Sequence, residues 1–188
     1  MNDDQELVNA VLAGAPGAFA RLIETYKGLC WHVVVRLVRD PEDARELCQD
    51  TFLRVHQYLH QYRFESSLKT WIARIAYTTA LRHLERRRDT TDRWIAGEDG
   101  ERLLHEVFAD DDASTVASRA EIAAHVAELI HALTPAQRSV LSLYHLDELT
   151  IPEIVRVTGL SDGTVKSHLL RGRLRLRALV LERLGDPS

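Results

Sequence analysis

Apolar residues recur every three or four positions along most of this chain, the spacing of helices that bury one face. The strict alternation of half-buried strands is absent. Leu7, Val8, Val11 and Leu12 form a short stripe that stops at Gly14, Pro16 and Gly17. A second helix is predicted from Phe19 to Leu37, with Leu22, Tyr26, Cys30 and Val33 on its apolar side. Asp40-Pro41 restarts the chain, with Asp as N-cap and Pro at the first helical position, where a missing N–H costs nothing. The third helix is predicted to reach about Tyr62, with Ala44, Leu47, Cys48, Thr51, Phe52, Val55 and Leu59 inward. Ser66 or Ser67 caps a fourth, which carries Leu68, Trp71, Ile72, Ile75 and Ala76 and runs into Arg86-Arg87-Arg88.

From Asp89 to about Ser118 the periodicity fades around Asp99-Gly100 and Asp110-Asp111-Asp112. Such a stretch is longer than an ordinary intradomain loop and reads as a connector, with one short helix expected from Glu101 to Phe108. Ile122, Val126, Leu129, Ile130 and Leu133 then mark a further helix. Thr134-Pro135-Ala136-Gln137 and Thr150-Ile151-Pro152-Glu153 have the pattern of two capping boxes. Gly159 ends the helix opened by the second, Leu160 fills the corner, and Ser161 caps the last helix. A short helix, a glycine-containing turn and a longer helix make a helix-turn-helix. The expected fold is all-α: two small helical domains joined by an acidic flexible linker, the C-terminal one a helix-turn-helix. The expected boundaries are 1–90, 91–118 and 119–188.

The chain has 188 residues, 45% of them hydrophobic and 28% charged, as in globular proteins rather than disordered ones. Its net charge of −4 argues against indiscriminate nucleic-acid binding. That average hides a segregation. Arg63–Arg88 is basic, the following stretch to about Glu121 is acidic, and Lys166, Arg171, Arg173, Arg175 and Arg177 make the C-terminal piece basic again. The acidic N-terminus and the absence of long apolar runs lead us to expect a cytoplasmic protein. Cys30 and Cys48 lie in apolar helical patterns and read as buried thiols; no zinc-ligand spacing surrounds them.

In a helix-turn-helix the second helix enters the major groove and its first residues reach base edges. Here these are Ser161, Asp162, Gly163, Thr164, Lys166, Ser167, Leu170 and Arg171. The basic segment Arg63–Arg88 carries Phe64, Trp71 and Tyr77, and rings beside a cationic track suit single-stranded nucleic acid. Trp71 lies on the apolar stripe and is expected in the core, which leaves Phe64 as the aromatic for a displaced base. His56 and His60 have the spacing of two ligands on one helix face, but Gln57 stands where a metalloprotease would carry Glu. No catalytic constellation, cofactor or metal is expected.

Three segments resemble one family. Asp43-Ala44-Arg45-Glu46-Leu47-Cys48-Gln49-Asp50-Thr51-Phe52-Leu53-Arg54 is similar to the polymerase-binding helix of bacterial sigma factors. The segment from Phe64 to Ala76 resembles their promoter-melting segment, and Leu133 through Ser167 their C-terminal helix-turn-helix. Two such domains with none between them resemble the extracytoplasmic-function class. The resemblance implies that the chain binds core RNA polymerase through Asp43, Glu46, Gln49, Asp50 and Arg54. It implies capture of the opened minus-ten strand by Arg63, Phe64, Glu65, Ser66, Ser67, Lys69, Arg74, Thr78, Arg82 and Arg86. The last helix would read the minus-thirty-five promoter DNA as duplex, the acidic linker would thread through polymerase channels, and an anti-sigma factor would hold the protein inactive.

The chain departs from the family pattern at Thr78, where Asn is common, at Arg82, where an acidic residue is common, and at His168, where Arg is common. Thr78 keeps a donor and an acceptor without the two-pronged amide. Two other readings start from the same residues. One is a stand-alone helix-turn-helix regulator with a helical sensing domain; the other is a helical adaptor whose basic faces are merely solvated.

Overall fold

The computed structural model describes residues 3–38, 40–90, 129–130 and 132–184, and seven α-helices lie among them. The N-terminal unit holds α1 (Asp3–Leu12), α2 (Ala18–Val35), α3 (Pro41–Tyr58) and α4 (Leu68–Thr90). The C-terminal unit holds α5 (Pro135–His145), α6 (Ile151–Thr158) and α7 (Asp162–Leu184). No strand occurs among the described residues, in line with the predicted all-α class. The expected linker helix at 101–108, the helix through Ile122 and Val126, and the side chains of Arg87 and Arg88 lie outside the described residues.

Core formation follows the predicted stripes. Leu22 and Val34 of α2, Val55 of α3, and Leu68 and Ile72 of α4 are fully buried between their helices. Val140 and Leu143 of α5, Ile154 of α6 and Val165 of α7 form the corresponding centre of the second unit. Each such side chain contributes about 1.5–3 kcal/mol by leaving water. Cys30 is buried and Cys48 half-buried, and both are free thiols. The neighbouring Cys30 thiol, and then burial, pushes the Cys48 thiol up from its usual range.

Local signals place the helix ends. Asp40 caps α3, its Oδ1 accepting from the amides of Glu42 at 2.9 Å and Asp43 at 3.3 Å. The Thr134–Gln137 box closes reciprocally at the start of α5. At the start of α6, Glu153 Oε2 accepts from the Thr150 amide at 2.9 Å and from its hydroxyl at 2.7 Å. Gly159 stands at φ 75°, a left-handed turn that costs glycine little, and its amide bonds to Val155 O at 2.9 Å.

Helix α3 ends earlier than its pattern suggests. Regular α geometry stops at Tyr58, a 3₁₀ turn covers Leu59–Gln61, and Tyr62 is extended. The tighter turn brings positions three apart onto one side, so Leu59 and Tyr62 are both buried. Gly172 serves another purpose. It lies within α7, where a Cβ would meet Leu141 Cδ1 at 2.6 Å, so its missing side chain lets α5 and α7 close together.

Asp4 makes a long-range connection that no local pattern announces. Its Oδ1 accepts from the Tyr26 hydroxyl at 2.7 Å and its Oδ2 from the Leu68 amide at 3.2 Å. One carboxylate in α1 thus ties α2 to the start of α4. Burial, and then Asp4, raises the Tyr26 phenol above its ordinary range, and the same two causes raise Tyr62. Asp4→Ala is expected to cost about 1 kcal/mol, the usual worth of a lost cap. It is also expected to move the titration of both phenols to lower pH. Urea unfolding and an ultraviolet titration of tyrosine, each against the parent chain, check the two expectations.

Candidate functional site

The acidic side of α3 is assembled as predicted. Glu46 and Gln49 are exposed, and Asp43, Asp50 and Arg54 are half-buried along the same helix. Asp43 Oδ2 lies 3.3 Å from His83 Nε2 of α4, so it also joins the two helices, as an ion pair when the imidazole is protonated. Sequence reasoning missed Leu53. It is 67% exposed, the most exposed large apolar side chain among the described residues, and it borders Gln49, Asp50 and Arg54. A signal was available: Leu53 falls outside the inward stripe of Thr51, Phe52 and Val55.

The loop between α3 and α4 is built around Tyr62. Its hydroxyl donates to Ser66 O at 2.5 Å. Its ring lies 4.6 Å from that of Phe64 and 5.3 Å from that of Trp71. Phe64 is 44% exposed and sits at φ 58°, a left-handed conformation that is strained for a residue with a bulky side chain. Trp71, expected in the core, is instead half-buried under this stack. Arg63 and Glu65 are exposed beside Phe64, and Ser66 is half-buried. Ser67 rather than Ser66 caps α4, its Oγ accepting from the Thr70 amide at 3.1 Å.

Along α4, Arg74, Thr78, Arg82 and Arg86 recur every fourth residue and face outward; Thr78 is half-buried and the arginines are exposed. The Thr78 hydroxyl donates to Arg74 O at 2.8 Å. Its hydrogen is therefore spent within the helix and only its lone pairs face out. Lys69 does not join this row. At about 100° per residue it lies roughly 140° around the helix from Arg74, and its amine donates to the backbone carbonyl of Asp147. Tyr77 is buried, and burial raises its phenol, so it offers no ring to a base.

In the helix-turn-helix, Ser161 Oγ accepts from the Thr164 amide at 3.2 Å and opens α7. Ser161, Asp162, Gly163, Lys166, Leu170 and Arg171 are exposed, and Thr164, Ser167 and His168 are half-buried. Lys166 Nζ lies 2.6 Å from Asp162 Oδ1, one turn back on the same helix. Arg173 reaches in the other direction, packing 5.2 Å over the Tyr144 ring and donating to His145 Nε2 at 3.2 Å. It braces α7 against α5.

A family model described as Sigma-70 region 2 matches residues 22–90, and one described as Sigma-70, region 4 matches residues 118–176. The RNA polymerase sigma-H factor of Pseudomonas aeruginosa is 32% identical over 176 residues, covering 90% of each chain. The extracytoplasmic-function sigma factor SigW of Bacillus subtilis is 27% identical, over 90% of this chain and 92% of its own. This chain belongs to the extracytoplasmic-function class of RNA polymerase sigma factors. Sigma factors are transcription initiation factors, and the order of the two regions favours that role over a stand-alone regulator. Among solved structures the fold of this sigma factor is similar to CnrH in complex with the cytosolic domain of CnrY. That match has a TM-score of 0.66 at 23% identity, over 95% of this chain and 97% of that one. It is likewise similar to RpoE of Bartonella quintana in complex with the anti-sigma factor NepR, with a TM-score of 0.67 at 18% identity, over 87% and 97%.

Asp162 and Lys166 are 57% and 61% exposed, so their ion pair adds little stability, yet it occupies a cation in the first turns of α7. Asp162→Asn is expected to release Lys166 to phosphate. Duplex binding then tightens and its logarithmic salt slope steepens by about 0.9, the value of one added phosphate contact. Fluorescence anisotropy across a salt series checks this.

Proposed function

We propose that this sigma factor divides its work among three surfaces within a region 2 unit at 1–90, a linker at 91–118 and a region 4 unit at 119–188. The α3 face formed by Asp43, Glu46, Gln49, Asp50 and Arg54, with Leu53 among them, docks on core RNA polymerase. Leu53 supplies the apolar anchor and the charges around it set register.

The loop from Arg63 to Ser67 and the outward row of α4 take the separated minus-ten strand. One observation carries this assignment: Phe64 is exposed, held at φ 58° and backed by the Tyr62 ring, which in turn meets that of Trp71. A ring fixed in this way offers a base a stacking surface without first having to be ordered, while Arg74, Arg82 and Arg86 follow the phosphates. Lys69 is a weaker member of this group, since its amine turns towards Asp147. The exposed first turns of α7 read the minus-thirty-five element as duplex.

The sigma factor works in the cytoplasm and does no catalysis of its own; the polymerase does the chemistry. An anti-sigma factor restrains it, as NepR and the cytosolic domain of CnrY are found in complex with the two related folds. Among the described residues no helix is long and apolar enough to cross a membrane.

Asp50→Lys and Leu53→Ser are each expected to weaken assembly with core polymerase by at least about tenfold, more than 1 kcal/mol. Helical content should stay unchanged. Titration of labelled core enzyme together with circular dichroism checks both, and normal assembly by the folded variants would mean that this face is not the docking surface. Phe64→Ala is expected to leave assembly intact and to cost about 1–3 kcal/mol of strand capture, the worth of one base–aromatic stack. Promoter opening by the reconstituted holoenzyme, followed by permanganate footprinting, reads this loss.

A further inference from the structure

Helix α1 has no part in the three surfaces proposed above. It lies ahead of residue 22, where the match to region 2 begins, and its buried Leu7 and Val8 pin it to the first unit. From there it reaches both ends of the loop that carries Phe64. Ahead of the loop, α1 packs against the 3₁₀ turn Leu59–Gln61, which leads directly into Tyr62. Behind the loop, Asp4 Oδ2 accepts at 3.2 Å from the amide of Leu68, the first residue of α4, across 64 positions of sequence. Its other oxygen accepts from the Tyr26 hydroxyl of α2 at 2.7 Å, which fixes how the carboxylate is turned. Burial, and then the Asp4 charge, raises the Tyr62 phenol, so the carboxylate lies within electrostatic reach of the side chain that backs Phe64.

We propose that Asp4 is a positioning residue for strand capture: by capping α4 from α1 it holds the Arg63–Ser67 loop in the arrangement that presents Phe64. The proposal rests on the strand-capture role given above to that loop. Three arguments support it. First, Phe64 sits at φ 58°, a conformation that a bulky side chain keeps only while its surroundings impose it. A short loop with both ends fixed has few alternatives, and freeing one end multiplies them. Second, the bonds made by the loop itself are local. Ser67 Oγ accepts from the Thr70 amide, Ser67 O from the Trp71 amide, and the Tyr62 hydroxyl donates to Ser66 O. Those groups can shift together as one piece, whereas Asp4 joins that piece to α1 and, through Tyr26, to α2. A carboxylate at a helix N-terminus is favoured by the helix dipole as well as by the bond it accepts. Third, a ring that is in place for only part of the time binds a base with an affinity reduced by that fraction. A cap outside the capture surface thereby sets how much of the chain is competent to capture.

Holoenzyme reconstituted with the full chain tests this, with promoter opening read by permanganate footprinting and assembly by titration of labelled core enzyme. Asp4→Ala is expected to lower opening about fivefold, the equivalent of a cap worth about 1 kcal/mol, and to leave assembly unchanged. Asp4→Asn, whose amide oxygen can still accept from the Leu68 amide, is expected to restore most of the opening. In a Phe64→Ala chain, Asp4→Ala is expected to add no further loss, because both residues act through one ring. Opening unchanged by Asp4→Ala, no recovery with Asp4→Asn, or a full further loss in the Phe64→Ala chain would overturn the proposal. Should Asp4→Ala lose its helical circular dichroism, hydrogen exchange of the parent chain decides. A protected Leu68 amide is expected there, and an amide that exchanges freely overturns the cap. Failure of the strand-capture reading looks different, since Phe64→Ala alone would then leave opening unchanged.

Discussion

Leu68, Ile72 and Ala76 follow one another at helical spacing on α4 and lose all exposure to solvent. Burying them holds α4 in a cradle made by α2 and α3 and so fixes its rotation about its own axis. Everything else on the helix follows from that rotation. Thr70, Ala73, Tyr77 and Ala80 come round to the side on which Thr70 meets Glu153, and all four are buried. Arg74, Thr78, Arg82 and Arg86 are left facing out. At about 100° per residue, one helix carries a core face, an interdomain face and a basic face without any of them competing. Small residues at 73 and 80 let another helix approach closely.

The loop ahead of α4 is constrained in the same spirit. Asp4 accepts from the Leu68 amide, Ser67 accepts from the Thr70 amide, and the Tyr62 hydroxyl reaches Ser66 O. These bonds hold both ends of a short segment whose middle residue, Phe64, takes a conformation it would not adopt freely. Strain of this kind persists only where the surroundings over-determine the backbone. What the molecule gains is a ring presented in one orientation, with its ordering entropy already spent.

Charge is used with similar restraint. The net charge of −4 keeps the free chain from coating nucleic acid, and local pairs restrain the cations that remain. Asp162 holds Lys166, Asp147 holds Lys69 through its carbonyl, and Arg173 is spent on Tyr144 and His145. Burial works against the charge of Glu153, but hydrogen bonds from Thr150 and Thr70, with Lys69 nearby, outweigh it and keep its carboxyl below the usual range. That carboxylate therefore serves a helix cap and the seam between units at once.

Much of this was legible before any coordinate. Helix existence and order, the Asp40 cap, the Gly159 turn and the inward stripes of α2 and α3 follow from local pattern, because neighbours three or four residues apart impose them. The acidic face of α3, the exposed Phe64 and the exposed first turns of α7 were legible for the same reason. The tertiary structure alone decided what depends on distant partners. Position by position, nothing marks Asp4 as the cap of a helix that begins at Leu68, or Gly172 as room for Leu141. The sequence places Lys69 in a basic run, but only the tertiary structure sets its amine on the Asp147 carbonyl, and only the packing around α4 decides that Tyr77 is buried. Local spacing fixes which face of a helix is apolar, whereas the choice among its remaining faces is made by whatever packs against it.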